Sequence, residues 1–235
     1  MRVAVIRFPA SNCDLDTVHA LRLFPGLDVD LVWHRDFRHN PYLAIILPGG
    51  FSYGDYLRSG VIAAHSPAVE EVRLAADEGK AILGICNGFQ ILVEAELLPG
   101  ALIANDTLSF VCRWVTIRVN NNKTVFTKKM NKGALLKMPV AHHEGMYFID
   151  RDALKGLHDR GQIVFQYVDP NGELTPRANP NGSVDNVAGV SNPEGNVVGL
   201  MPHPERASER VLSPYGTEDG RLVFESLIQS VGGLS

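Results

Sequence analysis

The chain has 235 residues, 45% of them hydrophobic and 20% charged, enough apolar material for one sizeable core and too much for a disordered or fibrous class. A formal charge of −4 gives no basic excess of the kind that neutralises a phosphate backbone, so nucleic acid is not expected as a ligand. No apolar run approaches the length of a membrane helix, and three cysteines cannot all pair, so a reducing, cytoplasmic setting is expected.

Residues 1–7 hold charge within an apolar run and are soon followed by Pro9, the pattern of a first strand and not of a signal peptide. Strand-like residues 3–8, 27–33 and 43–47 alternate with a helical pattern over 14–24. A second helix is expected over 67–78, with Val69, Val72, Leu74, Ala75 and Ala76 on its apolar face and Gly79 just past its end. Residues 81–85 are short and apolar throughout, as a strand covered on both faces must be. This alternation predicts an α/β fold with a parallel sheet wrapped by helices; the chain length favours one domain over two small ones.

The second half changes character. Residues 109–119 alternate like a half-exposed strand and 120–123 read as a turn, so antiparallel strands are expected there. Residues 169–183, with Pro170, Gly172, Pro176, Pro180 and Gly182, are expected to form an exposed loop. Cys112 alternates with Phe110 and Trp114, and Cys13 precedes a helix; both read as packed small hydrophobes. His34 and His39 flank Asp36 without the tight spacing of a zinc site, and no two cysteines are close, so no metal is expected.

The segment that carries chemistry is Gly84-Ile85-Cys86-Asn87-Gly88. It has the form of a nucleophile elbow: a strand ends, turns sharply at the nucleophile and enters a helix, here residues 89–95. Glycines two residues to either side allow the close chain approach that a strained turn demands. A thiol at a helix N-terminus is biased toward thiolate by the helix dipole. The matching base lies in Met201-Pro202-His203-Pro204-Glu205-Arg206, where prolines stiffen the chain at His203 and Glu205 is placed to orient the imidazole. For the oxyanion formed on attack, the backbone amide of Asn87 is one expected donor, and Gly50, in the Gly49-Gly50 turn after a strand, the other.

These segments resemble the class I (triad) glutamine amidotransferases. Gly84, Cys86, Gly88 and Gln90 match the elbow of that family, and His203 and Glu205 match its base and carboxylate. The runs 11–14, 48–58, 141–145 and 201–206 narrow the resemblance to members that act as the glutaminase subunit of a synthetase complex in purine biosynthesis, and it spans the whole chain, 1–235, as a single domain. The resemblance implies a flavodoxin-like three-layer sandwich, mostly parallel with antiparallel strands in the second half. It further implies glutamine as substrate, a Cys86 thioester, Gln90 helping to seat glutamine, and residues 142–147 bordering the same pocket. No cofactor is expected in this chain; ATP and magnesium are implied on a large synthetase subunit, with a small third subunit completing the complex. Residues 49–58 have the aromatic and arginine content of an interface. Two departures stand out: the family often has glycine where Ala10 and His143 stand. A free cysteine hydrolase and a non-catalytic regulatory domain are the rival readings; Gln90 and the long 48–58 run argue against the first, and the intact Cys86, His203 and Glu205 against the second.

Overall fold

A computed structural model describes residues 1–232, so the last three positions of the expected domain lie outside the described residues. The first apolar run forms β1 (Arg2–Arg7), with Val3, Ala4, Val5 and Ile6 fully buried. The chain returns through α1 (Asp14–Arg22), which opens on Asp14 and Asp16 and closes on Arg22, acidic and basic ends matching the helix dipole. β2 (Asp28–Trp33) and β3 (Ala44–Leu47) follow, then a short α2 (Val61–Ala64) and α3 (Pro67–Asp77). Pro67 stands at the first position of α3, where its missing N–H has no intrahelical partner to lose. β4 (Ala81–Ile85) is buried at every position and leads into α4 (Asn87–Glu94), itself buried from Asn87 to Val93. α4 packs across β3 and β4, which explains why it carries almost no polar face.

The second half supplies β5 (Ala101–Ile103), β6 (Val111–Val119), β7 (Leu135–His142), β8 (Met146–Phe148), α5 (Arg151–Asp159), β9 (Ile163–Val168), β10 (Val187–Ser191), β11 (Val197–Leu200) and α6 (Arg221–Val231). One nine-stranded sheet runs in the order β2-β1-β3-β4-β11-β10-β9-β6-β7, and β5 pairs with β8 apart from it. β2, β1, β3, β4 and β11 are mutually parallel, and from β11 onward every pairing is antiparallel. This is the flavodoxin-like sandwich expected, with its antiparallel strands where the alternating pattern placed them.

Two readings need correction. Cys112 is exposed, because it shares a face of β6 with Trp114, Thr116 and Arg118 while Val115, Ile117 and Val119 take the buried face. The stretch 169–183 is coil, yet Asn181 and Ser183 at its end are buried. Their side chains satisfy the backbone of the neighbouring turn: Asn181 Nδ2 donates to Gly145 O at 2.7 Å, and Tyr147 N donates to Ser183 Oγ at 3.0 Å.

The departure at Ala10 has a local explanation. Ala10 lies between β1 and α1 at φ 63°, in the left-handed region that costs an L-residue roughly 1–2 kcal/mol and a glycine almost nothing. His143, by contrast, is exposed and has no positive φ. Because Ala10 is exposed, its methyl fills no core space. Ala10→Gly is therefore expected to stabilise the chain by up to about 1 kcal/mol after the entropy glycine adds to the unfolded state. Urea unfolding of both proteins measures this; a clear loss of stability in the glycine variant would contradict the strain assignment.

Candidate active site

The elbow is strained at its apex. Cys86 has φ 50° and ψ −104°, a conformation that costs of order 1–3 kcal/mol and persists only when its surroundings impose it. They do so through close packing. A Cβ on Gly88 would lie 1.9 Å from Leu47 O, and one on Gly84 would lie 2.6 Å from the Gly88 carbonyl. Strand, turn and helix thus press together with no room for a methyl group at either glycine.

β4 and β11 are parallel neighbours in register, with Ile85 opposite Leu200, and Cys86 N donates to Leu200 O at 2.8 Å. The two chains leave the sheet side by side, one carrying Cys86 and the other His203. His203 N is anchored to Pro139 O of β7 at 2.9 Å, and Pro204 opens a tight turn that holds Glu205. His203 Nδ1 donates to Glu205 Oε1 at 2.6 Å with both side chains buried, leaving Nε2 as the basic nitrogen. Nε2 makes no hydrogen bond among the described residues, and the Cys86 thiol donates instead to Ala141 O at 3.6 Å. Cys86 and His203 line one cavity of about 260 Å³ together with Gly50, Cys112, Ala141 and Arg206.

Electrostatics favour a charged imidazole. Burial alone would lower the pKa of His203, but the Glu205 carboxylate and the Cys86 and Cys13 sulfurs outweigh it and hold the pKa well above the ordinary histidine value. Cys13 is the residue whose sequence reading was too plain. It is buried, as expected, but its sulfur faces His203, and Arg206 Nη2 donates to it at 3.2 Å. Nothing in the local sequence signals this; the contact joins the start of α1 to the turn after β11. Cys13, His203 and Glu205 offer ligand atoms within 4.8 Å of one another, a spacing open to a soft cation, but the Arg206 guanidinium against Cys13 opposes one.

Of the two expected oxyanion donors, Gly50 lines this cavity and Asn87 follows Cys86 without lining it. Asn87 begins α4, so its N–H belongs to the first turn and lacks an intrahelical acceptor. Gly50 lines the cavity and its N–H makes no hydrogen bond among the described residues. Its φ is 148°, and a Cβ there would lie 2.8 Å from both Ser11 Cα and Asn12 N, so glycine is required by packing as well as by conformation. The Asn87 side chain ties the parts together: Oδ1 accepts from Ser52 N at 3.2 Å and Nδ2 donates to Gln90 Oε1 at 2.9 Å. Gln90 is not among the residues that line the cavity, and its Nε2 donates to Glu144 O at 2.7 Å. In this state it braces residues 142–147 against α4. Phe51 and Phe110 line the cavity and are exposed, and Tyr56, Leu57 and Leu108, a few positions from them in the chain, are exposed as well.

His142 secures that turn. Its Nδ1 donates to Asn105 Oδ1 at 3.1 Å, Asn105 Nδ2 returns a bond to His142 O at 3.0 Å, and Gly145 N donates to the same Oδ1. Burial, with the positive charge on His203 as a second cause, pushes the His142 pKa down to about 4.

The chain matches the family of CobB/CobQ-like glutamine amidotransferase domains over residues 1–228, and it belongs to that family. Among curated relatives, the phosphoribosylformylglycinamidine synthase subunit PurQ of Methanosarcina mazei is 49% identical over 227 residues, covering 97% of each chain. The protein of the same name from Chlorobaculum tepidum is 52% identical over 231 residues, covering 98% of this chain and 97% of its own. Among solved structures, a chain of PurLQS from Thermotoga maritima superposes with a TM-score of 0.84 at 44% identity, with 97% of each chain covered.

Two outcomes are expected from this geometry. A histidine held neutral by burial contributes stability that is present above its unfolded pKa of about 6.5 and lost as pH falls toward 4. Between pH 7 and 4.5 the wild type should therefore lose roughly 2 kcal/mol more unfolding free energy than His142→Gln. Parallel losses in urea titrations of both proteins would show that His142 does not carry the acid lability. Separately, removing the Cys13 sulfur takes away one group that favours the His203 cation, so Cys13→Ala should move the pH profile of Cys86 alkylation toward higher pH, with Cys13→Ser partly restoring it. An unmoved profile with unchanged stability would reduce Cys13 to packing.

Proposed function

We infer that this chain is the glutaminase subunit of a phosphoribosylformylglycinamidine synthase, and that Cys86, His203 and Glu205 are its catalytic groups. The observation that carries the reading is the buried His203–Glu205 pair facing the strained Cys86 across a cavity that also holds the Gly50 amide. His203 Nε2 accepts the Cys86 proton and the thiolate attacks the side-chain amide carbon of glutamine. The oxygen that becomes negative is met by the N–H groups of Asn87 and Gly50; removing one such donor typically costs about 10²–10³ in turnover. The imidazolium, steadied by Glu205, gives its proton to the leaving nitrogen, and ammonia departs as the γ-glutamyl thioester forms. Water, deprotonated by the same imidazole, then releases glutamate.

Gln90, joined to Asn87 and to the Glu144 carbonyl, helps to seat glutamine by bracing the 142–147 turn that follows the cavity-lining Ala141. Ammonia passes to a large synthetase subunit, where ATP and magnesium drive its addition to formylglycinamide ribonucleotide, and a small third subunit completes the assembly. The exposed Phe51 and Phe110 at the cavity, with exposed Tyr56, Leu57 and Leu108 close to them in the chain, suit a face that the synthetase covers. No helix among the described residues is long and apolar enough to cross a membrane, and a thiolate nucleophile fits the reducing cytoplasm.

The test separates the two halves of the reaction. In the assembled complex, Cys86→Ala should abolish glutamine-dependent synthesis and leave synthesis from added ammonium salt near the wild-type rate. Equal loss of both reactions would assign Cys86 to assembly or to the acceptor site.

A further inference from the structure

A second cavity, of about 580 Å³, lies on the far side of the loop that follows Gly50 and does not include Cys86, His203 or Glu205. This volume falls within the range of small-molecule sites. Its chemistry is one-sided. Arg35 and His65 stand at its exposed edge, Tyr53 forms one wall, and His34 and Ser66 are buried in its floor. Among the described residues no carboxylate lines it, although the chain as a whole carries a charge of −4.

Two buried polar groups in that floor have no protein partner. Ser66 stands at the N-cap of the eleven-residue α3, where a serine hydroxyl ordinarily accepts from the first-turn N–H groups; here it makes no capping bond and Oγ is unsatisfied. His34 is 3% exposed and its Nδ1 is likewise unsatisfied. The Tyr53 hydroxyl lies 3.4 Å from His34 Nε2; donation in that direction places the imidazole proton on Nδ1, as a donor. A buried polar atom left without a partner costs about 1–3 kcal/mol, and two in one floor mark a place where a ligand supplies the missing bonds. The positive end of α3 and the Arg35 guanidinium select an anion with several acceptor oxygens.

We propose that this cavity binds the phosphoryl group of a small phosphate monoester, with His34 and Ser66 as donors and Arg35 as the counter-charge. The phosphoryl group sits at the mouth of α3, and the remaining volume receives the organic part of the ester. The proposal is independent of the chemistry at Cys86.

Calorimetric titration of the full chain at constant ionic strength, first with inorganic phosphate and then with a nucleoside 5′-monophosphate, tests it. Saturable binding at millimolar concentration or tighter is expected, retained in Cys86→Ala and weakened roughly tenfold or more in Arg35→Glu. Ser66→Ala, which keeps Pro67 to start the helix, should weaken it as well. Tighter binding of the monophosphate assigns the cavity to an ester, and equal binding assigns it to free phosphate. No saturable binding of either probe up to on the order of 10 mM, or binding unchanged in both Arg35→Glu and Ser66→Ala, would overturn the proposal.

Discussion

The contact on which the active site depends is the approach of α4 to the end of β3, where Gly88 lies so close to the Leu47 carbonyl that no side chain fits between them. That approach allows α4 to start directly at the end of β4 with a single residue, Cys86, bent between them. The bend places the thiol at the head of a buried helix, above the carboxyl edge of the sheet. It also brings the next loop within reach, so that the Asn87 side chain can hold Ser52 and, through it, the chain that presents Gly50. Packing at one glycine therefore fixes the bend at Cys86, the start of α4 and the loop that carries Gly50 at once.

Two buried histidines lie near one another and are driven in opposite directions. His203 has a carboxylate at 2.6 Å and sulfur on two sides, so its cation is favoured despite complete burial. His142 has only amide partners and feels the His203 charge, so its cation is disfavoured. Burial is common to both and decides neither role; the partner bonded to Nδ1 does. A carboxylate there makes a base that can hold a proton through a reaction, and an amide makes a neutral brace.

Much of this was legible in the sequence because the responsible forces are local. Glycine spacing around Cys86, prolines around His203 and the apolar runs of β1, β3 and β4 each report a neighbour within a few positions. What was hidden depends on contacts between distant segments. Cys13 meets Arg206 across 193 positions, and Asn181 meets Gly145 across 36. The face of β6 that Cys112 occupies could not be read from alternation, since a period of two gives two faces without saying which is covered. The Gln90 amide is joined to Asn87 and to the Glu144 carbonyl, contacts that a helical pattern cannot reveal.

The pairing of β4 with β11 has an evolutionary corollary. Cys86 and His203 are 117 positions apart in the chain but closely follow adjacent parallel strands, so their alignment is set by hydrogen-bond register and not by the length or content of what lies between. That intervening half is free to diverge, lengthen or acquire a new binding face as long as β11 returns beside β4 in the same register. A slip of one residue would turn the inward side chains outward, and a slip of two would move His203 by roughly 7 Å along the strand direction. Descendants of such a scaffold should therefore differ most between the elbow and the last strand, and serve different acceptors through one unchanged pair of strand ends.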